Sequence, residues 1–165
     1  MDHLFSPWRL EYITGDKPST GCVFCIRAHA DNPPDPLVLF RGTTAYVVLN
    51  KYPYNNGHLL IVPYRHTPTL ASLTSDELQE MALLMQRSEL ALREGYSPEG
   101  INVGINLGKP AGAGVVEHVH IHAVPRWNGD TNFMTVFGDT RVLPEDLSST
   151  AARLAPIFAR LGQST

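Results

Sequence analysis

From residue 37 onward the apolar and polar positions fall into short blocks of distinct period. Residues 37–40, 45–49 and 58–62 are runs of β-prone side chains. The breaks between them, Arg41-Gly42-Thr43 and Tyr52-Pro53-Tyr54-Asn55-Asn56-Gly57, carry the residues that suit turns. This predicts an antiparallel meander of three strands. In Thr74-Ser75-Asp76-Glu77 a hydroxyl at a helix N-cap precedes a carboxylate by three residues, and Leu78, Met81, Ala82 and Met85 follow at helical spacing. A helix is predicted over residues 75–94, stopping before Gly95. Residues 101–106 and 118–124 read as two further strands, joined by the loop Gly108-Lys109-Pro110-Ala111-Gly112-Ala113-Gly114. After Pro144, the spacing of Leu154, Ile157, Phe158 and Leu161 predicts a second helix.

Upstream of about Pro36 the chain is rich in Pro, Gly and Asp, and Asn32-Pro33-Pro34-Asp35-Pro36 disfavours regular structure. That part is expected to form an arm and loops. The order of strands, helix, strands and helix predicts an α+β fold with a mainly antiparallel sheet, a long helix and a C-terminal helix. All 165 residues are expected to form one domain: an arm over 1–36, a core over 37–141 and a helical segment over 142–165. The sequence shows no internal repeat and no low-complexity tract.

Composition narrows the function. Thirteen Lys and Arg stand against 16 Asp and Glu, and a net charge of −3 supplies no whole-protein field for a nucleic-acid backbone. Nucleic acid is therefore not an expected partner, and any phosphate must be held locally. No apolar run approaches the roughly 20 residues that span a bilayer, and Met1-Asp2-His3-Leu4-Phe5-Ser6-Pro7 lacks the features of a secretion signal, so a cytoplasmic protein without a membrane partner is expected. The two cysteines stand as Cys22-Val23-Phe24-Cys25, a spacing that suits a metal or redox pair in a reducing compartment.

The chemistry concentrates in His118-Val119-His120-Ile121-His122. Successive side chains of an extended segment point to opposite faces, so the three imidazoles share one face while Val119, Ile121 and Ala123 share the other. Chemistry and packing are thereby separated within one segment. Such a row serves as a polar strand face, holds a metal, or supplies a nucleophile with acid/base and orienting partners. A neutral imidazole attacks phosphorus well when its second nitrogen is held by an acceptor, which fixes the tautomer and stabilises the imidazolium that forms. The backbone of Gly112-Ala113-Gly114, four residues upstream, is unencumbered enough to approach a phosphate. His58, beside the Asn-Gly turn, reads as a hydrogen-bonded strand residue near the nucleotide.

These residues resemble the histidine-triad (HIT) family, whose signature His-φ-His-φ-His-φ-φ, with φ apolar, is matched at every position from His118 to Val124. Tyr46-Val47-Val48-Leu49-Asn50, the stretch from Pro53 through Gly57-His58-Leu59 to Pro63, and Asn102-Val103-Gly104-Ile105-Asn106 resemble the family's nucleotide-binding strands and turn. The resemblance runs from about Pro7 to Arg141. It implies a HIT-like fold in which His120 is the nucleophile that forms a nucleotidyl-histidine, His122 contacts the phosphate and His118 completes the catalytic row. It further implies that Asn50 meets the ribose and that Asn106, with Gly112, Ala113 and Gly114, borders the nucleotide. Where many members carry Gly-Gln-Ser or Gly-Gln-Thr, this chain has Ala113-Gly114-Val115, without the side chain often used to bridge the leaving group.

Val124-Pro125-Arg126-Trp127-Asn128-Gly129-Asp130-Thr131-Asn132-Phe133 resembles the bacterial branch that includes diadenosine tetraphosphate phosphorylases, which pass the adenylyl group to inorganic phosphate. Arg126 or Lys109 is a candidate to neutralise phosphate, and Trp127 to pack near the nucleotide. The implied function is nucleotidyl transfer from an adenine dinucleoside polyphosphate to phosphate, or to water in a hydrolase. A nucleotide-binding sensor or interaction module is the alternative of another class. His66 and His118 resemble the histidines that complete a Cys-Cys-His-His zinc site with Cys22 and Cys25 in some members. A structural zinc, no organic cofactor and a homodimer are the corresponding expectations.

Overall fold

A computed structural model describes residues 21–29, 34–130 and 145–163. Three strands, β1 (Val38–Arg41), β2 (Ala45–Leu49) and β3 (Leu59–Pro63), form the predicted meander. Helix α2 (Ser75–Tyr96) leads to β4 (Gly100–Ile105), and β5 (Ile121–Arg126) precedes α3 (Leu147–Gly162). The sheet order β1-β2-β3-β5-β4 is antiparallel throughout, so the return of β5 between β3 and β4 makes it an interior strand and leads the histidine segment into the sheet.

Strand alternation divides the interior into two cores. Val47, Leu49, Leu59, Ile61, Ile121 and Ala123 pack under Met81, Leu84 and Leu92 of α2 and Leu154 and Phe158 of α3. Their neighbours Tyr46, Val48, Leu60 and Val62 face the other way, against Phe24 and Ala28. His122 pairs with Leu60, which places it on this second face.

The Cys-Val-Phe-Cys segment departs from the expected arm of loops by forming a six-residue helix, α1 (Val23–Ala28), with Cys22 as its N-cap. Tertiary contacts hold it: Phe24 and Ala28 are buried, the Tyr46 hydroxyl donates to the Phe24 carbonyl at 2.8 Å, and Arg41 Nη1 donates to the Ala28 carbonyl at 2.6 Å. A helix this short gains too little from its own hydrogen bonds to persist without such partners.

Two predicted boundaries also move. The capping box is present, with Thr74 and Glu77 satisfying each other's backbone N–H groups, but α2 continues through Gly95 and ends at Ser97, whose φ is 46°. Gly95 acts as a packing residue, since a Cβ there would sit 2.9 Å from Leu154 Cδ2. Strand β5 begins at Ile121 rather than His118 because β3 ends at Pro63, which has no N–H with which to extend the ladder. The preceding segment stays extended by other bonds, with the Val119 N–H donating to the Thr67 carbonyl at 2.7 Å. Val119 still faces the helical core and His118 and His120 the opposite side, so the predicted alternation survives without the ladder.

Candidate active site

The N-terminal cysteines and two distant histidines converge. Cys22 Sγ lies 3.4 Å from His118 Nδ1, Cys25 Sγ lies 3.4 Å from His66 Nδ1, and Cys25 Sγ to His118 Nδ1 is 3.6 Å. The four donor atoms all fall within 4.8 Å of one another. Tetrahedral zinc bonded to sulfur and imidazole nitrogen requires S···N edges of roughly 3.5 Å, so the donor set fits that ion. His118 Nε2–H donates to the Pro63 carbonyl at 2.8 Å, which leaves the Nδ1 lone pair aimed at the sulfurs. Arg65 and Glu77 anchor the approach to His66 through bonds of 2.9 and 2.6 Å. Burial, then the neighbouring Cys22, pushes the Cys25 thiol up.

His120 is buried, and its Nδ1–H donates to the His118 carbonyl at 2.8 Å. Its proton is therefore committed to Nδ1, and Nε2 carries the lone pair. Burial lowers its basicity, and burial likewise lowers that of His118. The His120 and His122 ring centroids are 4.8 Å apart, as are those of His120 and Phe24. Tyr54 lies nearly parallel to His122, at 5.9 Å and 13°. Phe24 escaped the sequence reading, and Tyr54 entered it only as part of the turn, because the contacts of these rings with His120 and His122 cross the chain. The only local trace of Phe24 was an apolar residue inside the cysteine pair.

The remaining candidates divide. Asn50 and His58 join the row: Asn50 Nδ2 is 3.3 Å from His58 Nδ1, and His58 Nε2 is 2.9 Å from His122 Nδ1. Asn106 Nδ2 donates to the Gly112 carbonyl at 3.4 Å, tying the end of β4 to the glycine loop. Ala113 is buried, Gly114 half-buried, and Val115 packs on the cluster of Phe24 and Leu60, so the loop lies along the histidine face. Trp127 sits elsewhere, its ring edge-on to Tyr96 at 6.3 Å on the helical side. Arg126 is engaged by Asp130 at 2.6 and 2.8 Å and by Asn102 at 3.0 Å, which makes it a clamp on the turn after β5. Lys109 is exposed in a short 3-10 turn.

Known proteins resemble this chain in sequence and in fold. The HIT domain profile matches residues 34–129, more than half of the chain, and the protein belongs to the HIT family. It is 46% identical over 124 residues to the AP-4-A phosphorylase of Mycobacterium tuberculosis (strain H37Rv), covering 75% of this chain and 64% of that protein. The asymmetrical bis(5'-nucleosyl)-tetraphosphatase of Schizosaccharomyces pombe is 28% identical over 121 residues, 73% of this chain and 63% of that one. The chain thus spans somewhat under two thirds of the length of these relatives. Among solved structures, a zinc-bound histidine-triad protein from Mycobacterium smegmatis superposes with a TM-score of 0.70 at 29% identity, covering 90% of this chain and all of that one.

Proposed function

We propose that the protein transfers an adenylyl group from diadenosine tetraphosphate to inorganic phosphate through a histidine adduct. One observation carries the reading: the buried His120 has its Nδ1 proton held by the His118 carbonyl and its Nε2 lone pair free to attack, beside a glycine loop. Nε2 forms a bond to the α-phosphorus as the bond to the bridging oxygen breaks and ATP leaves. Positive charge developing on the imidazole is stabilised at Nδ1–H by the carbonyl. A phosphate oxygen then displaces His120 from the adduct, giving ADP and the free histidine. Loop N–H groups supply donors for the phosphate oxygens. The similarity to a phosphorylase supports phosphate as acceptor, and the similarity to an asymmetrical tetraphosphatase defines water as the competing one.

Incubation with diadenosine tetraphosphate, with and without phosphate, tests this. ATP and ADP formed only with phosphate is the expected result; ATP and AMP formed without it would make the protein a hydrolase. His120→Asn is expected to lower turnover at least about 1,000-fold, since it removes the nucleophile. Retained turnover would exclude the mechanism, and tight AMP binding without any adduct would favour a binding module.

The same reading includes a zinc ion held by Cys22, Cys25, His66 and His118. It would supply a structural clip between α1 and the histidine segment, and no catalytic step requires it. A reducing cytoplasm suits those thiols. None of the described helices is long and apolar enough to cross a membrane. A homodimer is proposed through β4, one of the two outer strands of the sheet, where Val103 is 49% and nearby Leu107 46% exposed. Sedimentation should show a dimer in the parent protein and a monomer in Val103→Asp.

A further inference from the structure

We propose that His58 is a positioning residue. Its own Nδ1 fixed as an acceptor by the Tyr54 peptide, it holds His122 in the tautomer protonated on Nε2, so that His122 meets the phosphate as a hydrogen-bond donor. The functional meaning rests on the nucleotidyl-transfer reading above; the tautomer follows from hydrogen-bond geometry.

The constraint begins in the turn after β2. The Tyr52 N–H donates to Asn50 Oδ1 at 3.0 Å, and Asn50 Nδ2 sits against the His58 ring, 3.3 Å from Nδ1 and 3.5 Å from Nε2. The Tyr54 N–H reaches the same Nδ1 at 3.0 Å. A backbone amide only donates, so His58 Nδ1 is an acceptor and the proton of the neutral ring sits on Nε2. That atom is 2.9 Å from His122 Nδ1, which must then accept. The His122 proton is left on Nε2. The stacked Tyr54 ring holds the imidazole plane, and the burial of His58 keeps the relay away from bulk water.

His120 carries the opposite assignment, protonated on Nδ1 with a lone pair on Nε2. Two adjacent imidazoles are thus polarised in opposite senses: His120 offers the nucleophilic nitrogen and His122 a donor. A donor already oriented where a phosphate or leaving oxygen gains charge stabilises the transition state without reorganisation. In the other tautomer, His122 would turn a lone pair toward those oxygens and repel them.

Long-range proton–nitrogen correlation spectra of the zinc-loaded protein read each histidine tautomer directly. His122 is expected to show a protonated Nε2 and an unprotonated Nδ1. In His58→Leu it should become a mixture, with kcat falling about 10- to 100-fold, a loss typical of removing an orienting partner, and with KM little changed. His58→Gln, whose amide N–H can replace the Nε2 donor, should restore the His122 assignment and part of kcat. A wild-type His122 protonated on Nδ1 overturns the proposal, and this spectrum decides the assignment even if the leucine variant does not fold. An unchanged His122 tautomer in a folded leucine variant overturns it equally. If the assignment holds but the wild type turns over no diadenosine tetraphosphate, the relay stands and the reading of function falls.

Discussion

His118, His120 and His122 each have one nitrogen committed to a partner, and the partner decides what the other can do. His118 spends Nε2 on the Pro63 carbonyl and aims Nδ1 at two sulfurs, whereas His120 spends Nδ1 on the His118 carbonyl and keeps a lone pair at Nε2. His118 therefore touches both the cysteine–histidine cluster proposed to hold zinc and, through its backbone, the proposed nucleophile His120. Cys25→Ser, which weakens a thiolate ligand, should lower zinc content measured by chelator release and lower Tm by about 5–10 °C, on the scale of a ligand bound well above its dissociation constant. Chelation should destabilise the wild type and leave the variant unchanged. The convergence of Cys22 and Cys25 with His66 and His118 had no local signature beyond the cysteine spacing, because 41 residues separate Cys25 from His66 and 96 separate Cys22 from His118.

At the scale of elements, periodicity predicted the five strands and two long helices, while contacts between elements set their ends. Gly95 shows the difference. Locally it reads as a helix stop; in the fold it lets α2 approach Leu154 of α3. Alanine would gain about 1 kcal/mol of helix propensity. Its Cβ would meet a fully buried Leu154 at 2.9 Å, and overpacking of that kind costs about 1–3 kcal/mol. Gly95→Ala is therefore expected to destabilise by about 1 kcal/mol in urea unfolding, against the sign that propensity alone gives. Helix α1 illustrates the reverse case: a segment with weak local signals becomes helical because Phe24, Tyr46 and Arg41 hold it.

For the whole molecule, Glu77 is expected to contribute to acid stability, alongside Glu80 and Glu145, whose carboxyls are also lowered. The Glu77 carboxyl is lowered from 4.5 to about 2, first by the Arg65 guanidinium and then by the Thr74 backbone N–H. A carboxylate whose folded pKa is depressed contributes stability that is complete above its unfolded value and is lost as pH falls from about 4.5 toward 2. Thermal unfolding should accordingly show Tm falling across that window, with a shallower fall in Glu77→Gln and a lower Tm for that variant at neutral pH. An equal slope in both proteins would show that other carboxylates govern the acid limb.

The sequence by itself determined the α+β class, the antiparallel meander, the capping box and the separation of histidines from apolar residues along the triad segment. All of these rest on local spacing, and spacing is a property of the chain. Tertiary structure decided the tautomers, because each depends on a carbonyl or amide brought from elsewhere: Pro63 for His118, and His58 with Tyr54 for His122. It decided the two-histidine, two-cysteine cluster and the helix that presents it. It also placed Arg126 beside Asp130 and Trp127 beside Tyr96, neighbours that local spacing does not reveal.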